Sequence, residues 1–316
     1  MDYKFVSIVY SKNEKMKKIH VGFLLSYDYL KLKIAIPLVY EYADRIFIAQ
    51  DENFTTWNGN KFQVEDDFFL WLKQIDTKNK IELYKDNFYI PELTAIQNDT
   101  RERHMLSMKM GIGNWLIQID SDEYIPDFKG FVNQLRKYDH YLDNPKKTPV
   151  QISGFHVDIY KYLDDGLLYV TNTCKVLLAT NYPNYKLARQ SYERVIYVNT
   201  LVFHESLART EEELQFKLKN WGHNHELNTE FLTKWKSASK DNYKEIKNVF
   251  YLNPKQWKSL GYLPTKDFFE VNKNIKKIDI QQITPLYLFF KNFGQWFKYK
   301  FTKPKKQNLN FEDYIK

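Results

Sequence analysis

Gly113-Asn-Trp-Leu-Ile-Gln-Ile-Asp120-Ser-Asp122-Glu123-Tyr-Ile-Pro126 is the stretch on which the reading of this chain turns. Gly113 interrupts whatever precedes it, and Trp115 to Ile119 is a short, largely apolar run with the pattern of a buried strand. Three acids follow within four positions, and Pro126 stops further ladder pairing. Open α/β sheets bind ligands beyond the carboxyl ends of their strands. Carboxylates there offer hard oxygens to a divalent cation, which takes its other ligands from water and a diphosphate. Asp122 and Asp120 are therefore candidate metal ligands. A solvated acidic turn explains most isolated Asp-x-Asp triplets. The apolar strand before this one, and a second informative segment around His204, argue for more than that here.

The chain has 316 residues, 43% hydrophobic and 27% charged, which suits a globular protein with a sizeable core. Aromatic residues are abundant, and the formal net charge of +8 favours anionic partners. Basic residues are scattered except near 298–306, and no nucleic-acid-binding motif is present, so nucleic acid is not an expected partner. The lone Cys174 rules out an internal disulfide and fits a reducing, cytoplasmic setting. It lies in a strand-like run and reads as a small buried apolar residue. The first residues lack a signal-peptide pattern, and no apolar run reaches the ~18 residues of a membrane span.

Strands are expected at Phe5–Tyr10, Arg45–Ala49 and Ile81–Tyr84, and helices at Tyr29–Tyr42, Glu92–Met110 and Phe128–Tyr138. This alternation over residues 1–140 argues an α/β half with a mostly parallel sheet flanked by helices. A β-rich half follows over 141–225, with Asp164-Asp165-Gly166 as a hairpin turn. Thr210-Glu-Glu-Glu213 is a capping box that opens a further helix. Residues 226–316 are expected to form a helical C-terminal extension. Its last helix, Pro285–Phe301, mixes Phe, Trp and Tyr with lysines. Such a helix either lies in a membrane interface, with contact through 285–306, or packs on the domain with its lysines in water.

The chain resembles the family 2 nucleotide-sugar glycosyltransferases, which have the GT-A fold, over roughly residues 5–225. Gly113 to Glu123 is similar to the family's "GDWILFLDADE" pattern. Val202-Phe-His204-Glu205, Arg209-Thr-Glu-Glu-Glu213 and Lys219-Asn-Trp-Gly-His223 are similar to the ending of bacterial surface-polysaccharide members. Ser7 to Glu14 looks like the opening strand and its "NE" turn, and Arg45 to Asp51 like the second strand. The family's "DDGS" is here Gln50-Asp51-Glu52-Asn53, its "ARN" is Arg101-Glu102-Arg103, and its "ED" motif has no plain counterpart.

The resemblance implies a transferase moving a sugar from a nucleotide-sugar, a UDP-sugar foremost, to a glycan or lipid-linked acceptor in surface-polysaccharide or lipopolysaccharide synthesis, with inversion. A divalent cation, Mn²⁺ or Mg²⁺, would be held by Asp122 and Asp120 with His204 as a further ligand. Nucleotide contacts would come from Tyr10, Asn13, Glu14, Asp51, Asp120 and one of Arg101 and Arg103. A general base would be sought among Glu205, Glu193 and Asp158. Two other classes compete. A nucleotidyltransferase would need a glycine-rich basic loop after its first strand, and Ser11-Lys12-Asn13-Glu14 has no glycine. The other is a non-catalytic binder of nucleic acid or other anionic ligands, and a salt-independent affinity for UDP would separate the transferase from it.

Overall fold

A computed structural model describes residues 17–214, 230–274 and 283–301. Tyr10, Asn13, Glu14 and the expected strand Phe5–Tyr10 lie outside them, as does Lys219 to His223. Four parallel strands build the first half: β1 (Ile19–Leu24), β2 (Arg45–Asp51), β3 (Ile81–Asp86) and β4 (Trp115–Ile119). Their order is β3-β2-β1-β4, so the chain runs outward from β1 to β3 and then crosses back to the other side of β1. All of β1 and β4, and all of β2 but Arg45, are buried, as expected where helices cover both faces of a parallel sheet.

The two faces pack against different helices. Trp115, Ile117 and Ile119 join Val21 and Phe23 in one core with α1 (Leu32–Tyr40) and α4 (Phe128–Arg136), while α2 (Asp66–Ile75) adds Phe68 and Leu72. Leu116 points the other way and meets Leu106 and Met110 of α3 (Ala95–Met110). At Gly22 a Cβ would stand 2.8 Å from Leu106 and Met110 side-chain atoms, so only glycine lets α3 approach β1 this closely. The start of α3 is fixed by a Thr94/Gln97 capping box.

The second half is antiparallel where it joins the first. β4 pairs with β8 (Cys174–Thr180), and β8 pairs with β6 (Val150–Leu163). The first part of β6 also pairs in parallel with β9 (Arg194–His204), and its last part forms a hairpin with β7 (Gly166–Val170) across Asp164 and Asp165. A two-residue strand, β5 (Glu123–Tyr124), then lies antiparallel on the end of β9, with Glu123 opposite His204.

Two expectations are corrected. The parallel sheet expected of the first half is present in β1 to β4, but the whole sheet is mixed, because every strand partner of β4 and β6 other than β1 and β9 runs the opposite way. The C-terminal extension is not purely helical either. Besides α5 (Glu230–Ser237), α6 (Phe268–Asn274) and α7 (Pro285–Phe301), it contributes β10 (Leu260–Leu263), which pairs with β7 and ends the sheet. Gly261 in β10 lies against the Tyr169 ring and Gly166 against the Leu263 carbonyl, leaving no room for a Cβ at either. Gly166→Ala is therefore expected to destabilise the protein by about 1–3 kcal/mol through overpacking, read as a lower urea midpoint.

Candidate functional site

The parallel strands β1 and β4 end on the same edge of the sheet, where the strand order reverses, and this is where open α/β sheets form a crevice. Asp28 follows β1 there, and Asp120, Asp122 and Glu123 follow β4. The β5–β9 pairing folds the acidic segment onto β9 and sets His204 Nε2 3.8 Å from Asp122 Oδ2.

Each acid of the triplet meets a cation from another element. Arg103 of α3 donates to Asp120 at 2.8 Å and to Asp99 at 2.5 Å. Arg189, in the segment between β8 and β9, grips both oxygens of Glu123 at 2.5 and 2.7 Å and lies 3.7 Å from Asp120. Arg209 grips Asp28 at 2.7 and 2.9 Å and reaches Asp122 at 3.0 Å. Burial works against the charge of all three guanidiniums, but their carboxylate partners raise their pKa values above the ordinary arginine range. Burial would likewise raise Glu123, yet Arg189 and His156 hold it well below the usual carboxylate range.

Behind this row sits a histidine pair. His156 of β6 places Nε2 3.0 Å from Glu123 Oε1 and Nδ1 3.9 Å from Cys174 Sγ. His204 places Nδ1 2.9 Å from Asp158 Oδ1, and the two rings stack at 4.8 Å. One ligand atom from each of His156, Asp158 and His204 lies within 4.8 Å of the others, so this group could hold a metal ion. Acids outnumber fixed cations across the cluster: Asp28, Asp99, Asp120, Asp122, Glu123, Asp158 and Glu205 against Arg103, Arg189, Arg209 and Lys31. A bound cation fits that imbalance.

The structure redistributes the residues expected from sequence. Asp120, Asp122 and His204 come together at the crevice, and Arg103 is the arginine that joins them. Its buried Nη1 has no partner among the described residues. Arg101 turns away and holds the carbonyls of Asn87 and Phe88 at 2.7 and 2.9 Å. The Asp51 carboxylate accepts four backbone amides, from Asn53, Thr55, Phe88 and Tyr89, at 3.0–3.2 Å. It ties two loops together and has no lone pair left for a uracil N–H.

The three base candidates fare no better as bases. Asp158 is buried and bonded to His204. Glu205 is buried and receives Lys31 at 2.8 Å together with the hydroxyls of Tyr124 and Tyr162. Glu193 precedes the first residue of β9 and bonds Asn184, about 30 Å of strand from His204. Cys174 is not buried, as expected, but exposed beside His156. Sequence reasoning missed His156, Arg189 and Asp28. For His156 a signal existed: His156-Val-Asp158 puts both polar side chains on one face of a strand.

No protein-family model matches this chain, and no curated protein matches it. Among solved structures, one similar chain is a mannose-6-phosphate isomerase from Helicobacter pylori, at 13% identity and a TM-score of 0.30. The match covers 49% of this chain and 56% of that one, and at this level it carries no argument about fold or function.

A titration next to the site can be read directly. Glu102 of α3 is buried against Trp57 Nε1 at 2.6 Å, and burial pushes it up to about 8. A carboxyl raised in the folded state binds more protons there than when unfolded, so it removes stability as pH rises between the ordinary value and about 8. Glu102→Gln keeps an acceptor for Trp57 and removes that cost. The variant is expected to gain stability over the parent by a few kcal/mol at most, roughly, at pH 8.5 and much less at pH 5, in paired thermal melts.

Proposed function

We propose that the protein is a metal-dependent glycosyltransferase that uses a nucleotide-sugar, a UDP-sugar foremost, and delivers the sugar to a glycan or lipid-linked acceptor in surface-polysaccharide synthesis, with inversion. One observation carries the reading. The Asp120-Ser-Asp122 segment stands beyond β4 at the strand-order reversal, and β9 brings His204 beside Asp122.

When bound, a divalent cation would stabilise the charge that grows on the departing nucleoside diphosphate. Asp122 is the carboxylate ligand for it, with His204 the next group in reach. An imidazole beside carboxylates suits Mn²⁺ better than Mg²⁺. Arg209 reaches Asp122 at 3.0 Å and would share it with such a cation, while both of its terminal nitrogens are already held by Asp28. Arg103 anchors Asp120 from α3 and would hold it in place for the nucleotide.

Peripheral membrane contact through α7 belongs to the same reading. Its less exposed residues are Leu288, Asn292, Gln295 and Tyr299, a seam at helical spacing. Asn292 and Gln295 bond the free edge of β9 at Tyr197 and Val195. The outer face presents Leu286, Phe289, Phe290, Phe293, Trp296, Phe297 and Phe301, flanked by Lys291, Lys298 and Lys300. Polar toward the protein and aromatic toward the outside is the reverse of an ordinary surface helix, and it supports a lipid headgroup interface. Among the described residues no helix is long and apolar enough to cross a membrane.

Two measurements test the reading. In a thermal-shift panel of UDP, GDP, CMP and TDP with Mn²⁺, Mg²⁺ or EDTA, one nucleotide is expected to stabilise the protein only with metal, and Asp122→Ala to abolish the shift. Absence of any nucleotide-dependent shift for folded protein would sink the transferase reading. In sedimentation with vesicles containing anionic lipid, replacing Phe289, Phe293 and Phe297 by Ser is expected to cut the bound fraction at least about tenfold. Equal binding by parent and variant would remove α7 from the membrane claim.

A further inference from the structure

We infer that His156, Asp158, His204 and Cys174 form a resident zinc-type site, separate from any cation that arrives with a nucleotide. The inference goes beyond the transferase reading and stands if that reading fails. It begins with strand register. His156 and Asp158 alternate on one face of β6. Across the ladders Cys174 of β8 stands opposite His156, and His204 of β9 stands opposite Asp158. Four metal-binding side chains from three neighbouring strands thus share one face of the sheet.

The distances fit one ion for the trio His156, Asp158 and His204, with Cys174 Sγ standing beside His156 as the fourth donor. Zn–S near ~2.3 Å and Zn–N near ~2.0 Å put the donors of a tetrahedral site about 3.5 Å apart. Cys174 Sγ is 3.9 Å from His156 Nδ1, Asp158 Oδ1 is 2.9 Å from His204 Nδ1, and the His-Asp-His ligand atoms all lie within 4.8 Å. The outer contacts also have the form found behind histidine ligands, whose second nitrogen donates to a carboxylate. His156 Nε2 faces Glu123 at 3.0 Å, and His204 Nε2 faces Asp122 at 3.8 Å. Each ring thereby turns Nδ1 toward the shared centre.

Donor chemistry selects the ion. Two imidazoles, a carboxylate and a thiolate suit Zn²⁺ and its probe Co²⁺, whereas Mg²⁺ and Mn²⁺ prefer oxygen donors. On binding, the Cys174 thiol gives its proton to solvent, and the proton that His204 Nδ1 shares with Asp158 shifts to Nε2, on the side of Asp122. Asp122 stays outside the ligand set, so a cation delivered with a nucleotide would rest on Asp122 and Asp120, and His204 would belong to the resident ion rather than to that cation.

The experiment uses the full chain, stripped with a chelator and reloaded without nucleotide. Equilibrium dialysis is expected to find one Zn²⁺ per chain. The Co²⁺ form is expected to show tetrahedral ligand-field bands and a thiolate-to-cobalt charge-transfer band. Cys174→Ser should keep the ion but lose the charge-transfer band, and His156→Ala should weaken binding at least ~10-fold. Asp122→Ala should leave the stoichiometry at one. If His156→Ala does not fold, the Cys174→Ser spectrum decides. Folded parent protein that takes up no Zn²⁺, or a Co²⁺ spectrum without the thiolate band, would overturn the site. So would loss of the ion in Asp122→Ala with an unchanged spectrum in Cys174→Ser.

Discussion

Charge balance around Glu123 is the constraint on which the crevice depends. This carboxylate is buried, and both of its oxygens are held by Arg189, with His156 on one of them. Removing one partner of such a pair leaves an uncompensated buried charge, a cost of about 3–5 kcal/mol. Arg189 comes from the segment before β9, Glu123 from the end of β4 and His156 from β6. A single carboxylate therefore locks the parallel half to the β-rich half. Arg209 repeats the device between Asp28 and Asp122, and Arg103 between Asp99 and Asp120. The acidic segment is posed by guanidiniums before any ligand arrives, which lowers the ordering cost of binding.

Loops around the crevice are held in the same manner. Asp51 gathers amides from its own turn and from the segment after β3, and Arg101 takes carbonyls from that same segment. An acid and an arginine that resemble ligand-binding groups thus act on the backbone. They rigidify the wall of the crevice.

How much of this was legible follows from locality. β2, β4 and α3 were readable because apolar runs or helical spacing are bounded by clear stops, and the Asp120–Asp122 segment announced itself at the end of β4. β1 was missed because Ile19–Leu24 contains His20 and Gly22 and follows a lysine-rich stretch, while the more apolar run near Phe5 drew the assignment. β10 is only four residues long and is defined by β7 beside it. His156-Val-Asp158 carried a local signal of a shared strand face, but placing His156, Cys174 and Arg189 beside one another requires the register of β6, β8 and β9, which no local pattern encodes. Asp51 and Glu205 were misread for a related reason. An acid at a strand end looks available until the amides, lysine and tyrosines that claim it are located in space.

β6 has a further consequence. It is bonded to β8 on one side and β9 on the other over its first part, and then to β7. Functional side chains usually ride on loops that open locally, whereas His156 and Asp158 ride on the most heavily paired strand of the sheet. Amide hydrogens there exchange only when the whole sheet comes apart, so this part of the crevice has no private opening motion. Whatever enters must be admitted by movement of the surrounding loops and side chains, and heat or denaturant should erase the site and the fold in one cooperative step.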